Sequence, residues 1–281
     1  MSSRKIVLLR THVSNAAIVS QARRIRDEAG YDVIFVADES TAPLAVPKEF
    51  AKVSVTAAAI DGLGVYAPPD VAWRCGDYAF YLARDLLEGA RIVWQIEYDV
   101  LLRCANLKTF FGAFDRRRMD FLAPYFARRG PDWCWQPLMA PFTSRVFGCL
   151  FPVTRLSLRL IDFLFAARRA LSSARDWAQS PAEYPNDESF AASTAVAGGF
   201  ACADLAQCRP GVYTPTSFPP NAIPIPRRFV ESRRSSAIIY HPVYAGRMFD
   251  GKLRDYRRRA DPDDHESARR LAGYLAAVAR D

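Results

Sequence analysis

Apolar positions along the chain fall into two kinds of run. Lys5–Arg10, Asp32–Ala37 and Arg91–Val100 are short and nearly unbroken, and runs of this length predict buried strands. Between them, apolar residues return every three or four positions, the spacing of a helix that buries one face. Asn15–Ala29 repeats in this way through Ile18, Ala22 and Ile25, with Ser14 or Asn15 placed to cap it and Gly30 to end it. Strand, helix and strand in this order make a βαβ unit and imply a parallel sheet. Lys52–Thr56 is the next expected strand, and Gly62–Pro69 reads as a loop. A helix over Tyr78–Glu88, opened by Gly76–Asp77 and stopped by Gly89, offers Phe80, Leu82, Ala83, Leu86 and Leu87 for burial. The strand Arg91–Val100 follows it, built on Ile92, Val93, Trp94 and Ile96.

Past Asp99 the pattern loosens. Asp115–Asp120 (DRRRMD) is a charge cluster, and Phe121–Phe126 is an expected strand. Gly130–Pro141 carries Trp133, Trp135 and three prolines, which suits a shaped loop or a pocket wall. Thr154–Arg175 predicts one long helix with Leu156, Leu160, Phe163, Leu164, Ala167 and Leu171 on a face and Arg155, Arg159, Arg168 and Arg169 largely off it. Asp187–Ala197 predicts another, capped by Asn186 or Asp187 and closed by Gly198–Gly199. Phe200–Leu205 and Ser236–Tyr240 are expected strands, Pro210–Pro226 an irregular stretch, and Asp264–Ala279 a terminal helix.

Composition narrows the class. Half of the 281 residues are hydrophobic, enough for a sizeable core. A net charge of +8 favours anionic partners such as nucleotides, nucleic acid or an acidic membrane surface, without choosing among them. The basic residues are spread out, with short clusters at Arg116–Arg118 and Arg257–Arg259 and no recognised nucleic-acid module, so nucleic acid is not the expected partner. The apolar run near the amino terminus is too short for a signal segment or a membrane span. Six cysteines without a CxxC pair indicate neither a zinc site nor a disulfide framework, and fit a reduced, cytoplasmic chain.

The candidate chemistry collects at strand ends. Glu97–Tyr98–Asp99 closes the Arg91–Val100 strand, at the carboxyl edge where α/β sheets bind ligands. Residues i and i+2 of a strand point the same way, so Glu97 and Asp99 would offer two oxygens to a divalent cation carrying phosphates. The plainer alternative makes Asp99 a turn cap and Glu97 an arginine's partner. Thr11, His12, Asp38, Arg74 and Asp77 fall at the same edge of a parallel sheet, suited to a nucleotide and equally to capping or surface charge.

This order of features resembles the GT-A fold nucleotide-sugar glycosyltransferases: a βαβ start, a DxD-type acidic motif in Glu97–Tyr98–Asp99, then Asn186–Asp187–Glu188 at a helix start, then His241. Glu97 departs from the usual first Asp, so metal binding is carried most firmly to Asp99. The resemblance implies one α/β domain over residues 1–281 with a mainly parallel central sheet flanked by helices. Within it, residues 1–100 would bind nucleotide, 101–245 would hold acceptor and catalytic groups, and 246–281 would form a helical tail. It implies Mn²⁺ or Mg²⁺ held by Glu97, Asp99 and His241, a nucleotide-diphospho-sugar donor contacted by Thr11, His12, Asp38, Arg74 and Asp77, and a base at Asp187 or Glu188 acting with inversion. A capping box is the rival role for those two carboxylates. The implied acceptor is a glycan or lipid-linked hydroxyl of a growing surface polysaccharide. The tryptophan loop would then stack on sugar, and the arginine-flanked helix Thr154–Arg175 would allow peripheral membrane contact. Two other classes stand beside this reading. One is a nucleotidyltransferase, which the absence of glycine from Leu9–Ser14 disfavours, and the other a non-catalytic nucleotide-binding relative.

Overall fold

The computed structural model describes residues 3–232, 238–260 and 263–278. Contacts divide the chain into two compact units, Met1–Tyr98 with Asn106–Cys208, and Asp99–Ala105 with Arg209–Asp281.

The first unit is built on a seven-stranded sheet: β1 (Arg4–Thr11), β2 (Asp32–Asp38), β3 (Ala51–Val55), β4 (Ala90–Glu97), β5 (Phe121–Ala123), β6 (Val153–Ser157) and β7 (Cys202–Asp204). Its order is β7-β5-β6-β4-β1-β2-β3. The pairings β1–β2, β1–β4, β2–β3 and β5–β7 are parallel, while β6 runs antiparallel to both of its neighbours. The fold is therefore α/β with a mainly parallel central sheet flanked by helices, as expected. In α1 (Ala16–Ala29), Asn15 takes the amides of Ala17 and Ile18 at 3.0 Å, and Gly30 ends the helix at a φ of 71°, which glycine adopts without strain.

The helix expected over Tyr78–Glu88 is shorter. An α-helical turn, α2 (Tyr78–Leu82), gives way to a 3₁₀ turn over Arg84–Leu87, held by the Leu86 amide on the Ala83 carbonyl at 2.8 Å. Next comes α3 (Leu107–Asp115), capped by Asn106; its Phe110, Phe111 and Phe114 pack around Trp94 of β4. The strand expected over Phe121–Phe126 stops at Ala123 because Pro124 has no amide to donate. Thr154–Arg175 is not one helix: Val153–Ser157 is strand β6, and helix α4 spans Leu158–Ser173. Pairing on both sides outweighs helical spacing there, and Ser157 both ends the strand and caps the helix through the Leu160 amide at 3.3 Å. Helix α5 (Asp187–Ala197) stands as expected. One core joins a face of the sheet, through Ile6, Leu8, Val93 and Leu156, to Phe80 of α2, Leu160 and Leu164 of α4, and Phe190 of α5.

In the second unit Ile239–Tyr240 pairs antiparallel with Leu101–Leu102, and Ile225–Pro226 pairs parallel with Val243–Tyr244. Of the strand expected over Ser236–Tyr240, Ser236 and Ala237 lie outside the described residues. Helices α6 (Gly246–Arg259) and α7 (His265–Val278) bury Leu253, Leu271 and Tyr274 with Ile223, Ile225, Phe229 and Tyr240. No helix among the described residues is long and apolar enough to cross a membrane.

Candidate active site

Parallel pairing of β1 and β4 sets Arg10 opposite Glu97 at the carboxyl edge of the sheet. The two side chains form a largely buried ion pair through Arg10 Nη1 and Glu97 Oε1. Burial works to lower the Arg10 pKa, but Glu97, Asp187 and Asp38 outweigh it and leave the guanidinium above its ordinary value. Arg10 is thus a fixed cation among three carboxylates.

The amino terminus of α5 supplies the next groups. Asn186 is the cap, accepting the Ser189 amide at 3.1 Å, so Asp187 and Glu188 stand in the first turn, where a helix favours negative charge. Asp187 Oδ2 accepts the Gly76 amide at 2.8 Å and its Oδ1 accepts the Glu188 amide at 2.7 Å. Gly76 has room for nothing larger: a Cβ there would lie 2.5 Å from Asp187 Oδ2 and 3.1 Å from Arg10 Nη1. Burial pushes Asp187 well above the usual carboxylate range, Glu188 and Asp77 add to the rise, and Arg10 opposes it. Glu188, half-buried, is pushed up to about 7 by burial, against hydrogen bonds from the Phe151 amide and Asn186. A carboxylate titrating near neutrality can take a proton and release it again.

Behind these groups lies a closed ion pair. Asp77 and Arg168 are both fully buried, with Arg168 Nε 2.7 Å from Asp77 Oδ2 and Nη2 3.1 Å from Oδ1. Tyr81 donates to Asp77 Oδ2 at 2.9 Å, and Arg168 Nη1 donates to the Pro185 carbonyl at 2.8 Å. The guanidinium carbon sits 3.8 Å from the centre of the Phe190 ring. Asp77 thereby ties α2 to α4 and to the segment entering α5. Arg74 is similar: it pairs with Asp70 and donates to the carbonyls of Ala182 and Tyr184 at 3.1 Å. Among the expected nucleotide contacts, then, Asp77 and Arg74 are committed to protein groups.

Thr11 is buried and its hydroxyl accepts the Val13 amide at 3.1 Å, while Asp38 Oδ1 accepts the Ser40 amide at 3.0 Å. His12 is exposed and meets the Tyr98 ring edge-on, with centroids 4.5 Å apart. Trp133 lies over Gly148, where a Cβ would fall 2.3 Å from the ring, and the Arg129 guanidinium stands 5.1 Å from the ring centre.

In the second unit Asp99 and His241 come together. His241 Nε2 is 3.6 Å from Asp99 Oδ1, Tyr244 donates to Asp99 Oδ2 at 2.7 Å, and the Val243 amide donates to the Asp99 carbonyl at 2.8 Å. Both side chains are nearly buried. One carboxylate oxygen and one imidazole nitrogen side by side, the carboxylate oriented by a tyrosine, form a donor set that could hold a metal ion. The groups that sequence reasoning passed over are Arg10, Arg168, Tyr244 and the Gly76 amide. Arg10 carried one signal, being a cation that directly follows the unbroken apolar run Ile6–Leu9 at the carboxyl end of the strand.

No protein-family model matches the chain, and no curated protein matches its sequence. Among solved structures, one similar chain is a glycosyltransferase involved in the glycosylation of the major capsid of PBCV-1. It is 11% identical, covers 89% of this chain and 99% of its own, and has a TM-score of 0.40. Another is mouse xyloside xylosyltransferase 1 in its apo form, 14% identical over 72% of this chain and 84% of its own, with a TM-score of 0.38. At these values the likeness carries no function across, and the reading below rests on the chain's own residues.

Proposed function

We propose that this protein is a glycosyltransferase that moves a sugar from a nucleotide-diphosphate donor to a hydroxyl of a glycan or lipid-linked acceptor, with inversion. The observation that carries the reading is the pair Asp187–Glu188 at the start of α5, held beside Arg10 and Glu97 at the carboxyl edge of the sheet. Glu188, at about 7, is matched to drawing a proton from an acceptor hydroxyl at neutral pH. Asp187, locked by two main-chain amides, positions the Glu188 backbone. A base on the acceptor oxygen makes a single in-line displacement, in which the hydroxyl oxygen bonds the anomeric carbon as the diphosphate leaves.

Arg10 is the fixed cation of the first unit and supports charge on the departing phosphates. Thr11, His12 and Asp38, at the ends of β1 and β2, are the remaining candidates for the nucleotide. Asp99 and His241 are the residues proposed to hold Mn²⁺ or Mg²⁺, with Glu97, two positions earlier in the chain, as a further carboxylate. A divalent ion supplies Lewis-acid neutralisation of a diphosphate leaving group. Six free thiols fit a cytoplasmic setting, and surface polysaccharide assembly at the inner face of a membrane is the setting we favour.

The test is calorimetric titration of UDP and GDP, each with Mn²⁺, Mg²⁺ or EDTA, followed by turnover with the matching nucleotide sugars. Metal-dependent binding of one nucleotide, lost in Asp99→Ala, is expected. Nucleotide binding indifferent to metal would remove the cation from the reading, and absence of binding by either nucleotide at millimolar concentration would remove the reading itself.

A further inference from the structure

At the opposite edge of the first unit's sheet a hollow of about 650 Å³ opens beside the amino end of β4, between Gly89–Ile92, Arg117–Asp120 and Ser157–Arg159. Its lining includes four arginines, Arg91, Arg117, Arg118 and Arg159, and a single carboxylate, Asp120. That carboxylate is already answered: Arg159 Nε donates to it at 2.8 Å, the Ser157 hydroxyl at 2.7 Å and the Ala201 amide at 3.2 Å. Among the described residues, Arg91, Arg117 and Arg118 have no carboxylate within ion-pair distance. Three exposed arginines without a carboxylate partner therefore stand around one concave space, and the first turn of α4 adds its partial positive charge.

The loop that presents two of them is anchored from below. Arg155, fully buried on β6, donates to the Arg117 carbonyl at 2.9 Å and to the Met119 carbonyl at 3.1 Å. Arg117 Nη2 also reaches the Cys208 carbonyl at 3.1 Å. A long cationic side chain on a free loop is normally spread into solvent, whereas here the backbone beneath Arg117 and Arg118 is pinned by a group that costs burial to keep. Ala90, Ile92, Met119 and Leu158 give the same hollow an apolar part.

We propose that this hollow is a second binding site, selective for a small phosphorylated ligand that carries at least two negative charges. The volume is that of a small-molecule site, and a concave surface with low-dielectric walls concentrates the field of its charges. Guanidinium forks match phosphate oxygens, and several together select a multiply charged group over a single carboxylate. Strand β4, eight residues long, separates this hollow from Glu97 by roughly 20 Å at about 3.3 Å per residue. The site is distinct from the one described above and stands whether or not that one is a transferase.

The experiment is calorimetric titration of pyrophosphate into the full chain in EDTA, at low and moderate salt. It compares the wild type with Arg91→Ser/Arg118→Ser, with Arg257→Ser/Arg258→Ser as an equal loss of charge elsewhere, and with Asp187→Asn. The first variant is expected to weaken binding about tenfold or more, as loss of two charge-assisted contacts should. The second and third are expected to bind as wild type does, and circular dichroism should show all of them folded. Equal weakening in both double variants would overturn the proposal by reducing it to net charge. Binding altered in Asp187→Asn, which changes the charge beside Arg10, and kept in Arg91→Ser/Arg118→Ser would overturn it by assigning pyrophosphate to the other edge. No binding by the wild type at low salt would overturn it outright. Phosphatidylglycerol vesicles, bound through these arginines when pyrophosphate is not, would replace the enclosed ligand with a lipid surface.

Discussion

The main-chain amide of Gly76 donates to Asp187 Oδ2 across 2.8 Å, joining residues 111 positions apart in sequence. The approach is so close that the carboxylate occupies the space a side chain at position 76 would need. Gly76→Ala must therefore push Asp187 away from Arg10 or move the segment before α2. Because α5 carries Asp187 and Glu188 together, the turnover proposed above should fall by about a hundredfold, the usual scale for a displacement of an ångström in a positioned group. Far-ultraviolet circular dichroism should remain unchanged. Wild-type turnover in a folded Gly76→Ala protein would show that the Asp187 position does not matter to the reaction.

Glu188 sets an expected pH dependence. As a base it works deprotonated, so the rate should rise with pH to a plateau, with its midpoint near 7. The folded chain holds this proton more tightly than the unfolded one. Its contribution to stability is therefore present below the ordinary glutamate pKa of about 4.5 and is lost as the pH climbs through about 7. Glu188→Gln should abolish the rate limb and flatten that part of the stability profile. Urea melts at several pH values, run beside a pH–rate profile, read both. A variant that retains the full rate limb would assign the titration to another group.

The buried pair Asp77–Arg168 predicts a large and asymmetric cost. Removing one partner leaves an uncompensated charge at a site with no exposure, so Arg168→Met should destabilise the fold by about 3–5 kcal/mol. Replacing both with apolar residues, as Asp77→Leu/Arg168→Met, should cost less than Arg168→Met alone, since no charge is stranded. Tyr81 and the Pro185 carbonyl would still lose a partner, so wild-type stability should not be recovered. Urea denaturation of the two variants and the wild type gives the comparison.

How much of this was legible in the chain follows from what each feature depends on. Strands β1 and β2 and helix α1 depend on local spacing and on a cap and a glycine close by, and they stand where the pattern puts them; β4 ends at Glu97 rather than Val100, so Tyr98 and Asp99 lie in a turn and strand alternation does not relate Asp99 to Glu97. Strand β6 depends on neighbours distant in sequence: Val153–Ser157 runs into α4 without a breaker, and only its pairing with β4 and β5 shows that it is extended. Arg168 reads as a solvated arginine beside an apolar stripe because its counter-ion lies 91 positions away. The acidic residues of the site could be singled out as types at strand and helix ends. That Arg10 meets Glu97 and Gly76 meets Asp187 depends on sheet register and on a loop's approach, which no short window contains.

Tyr244 is expected to tune the proposed cation site without touching the ion. Its hydroxyl holds Asp99 Oδ2 at 2.7 Å, while Oδ1 lies toward His241 Nε2. Removing the hydroxyl frees the carboxylate to rotate, and loss of such an orienting partner typically weakens metal binding by about 10- to 100-fold. Tyr244→Phe should therefore raise the dissociation constant for Mn²⁺ within that range, and Asp99→Ala should abolish specific binding. Loss of the Mn²⁺ electron paramagnetic resonance signal on titration measures both without any donor or acceptor present. The imidazole must be neutral to ligate, so affinity should fall on acidification as the ring takes up a proton. Affinity for Mn²⁺ unchanged in Asp99→Ala would move the ion elsewhere in the chain and leave Asp99 and His241 as an ordinary buried pair.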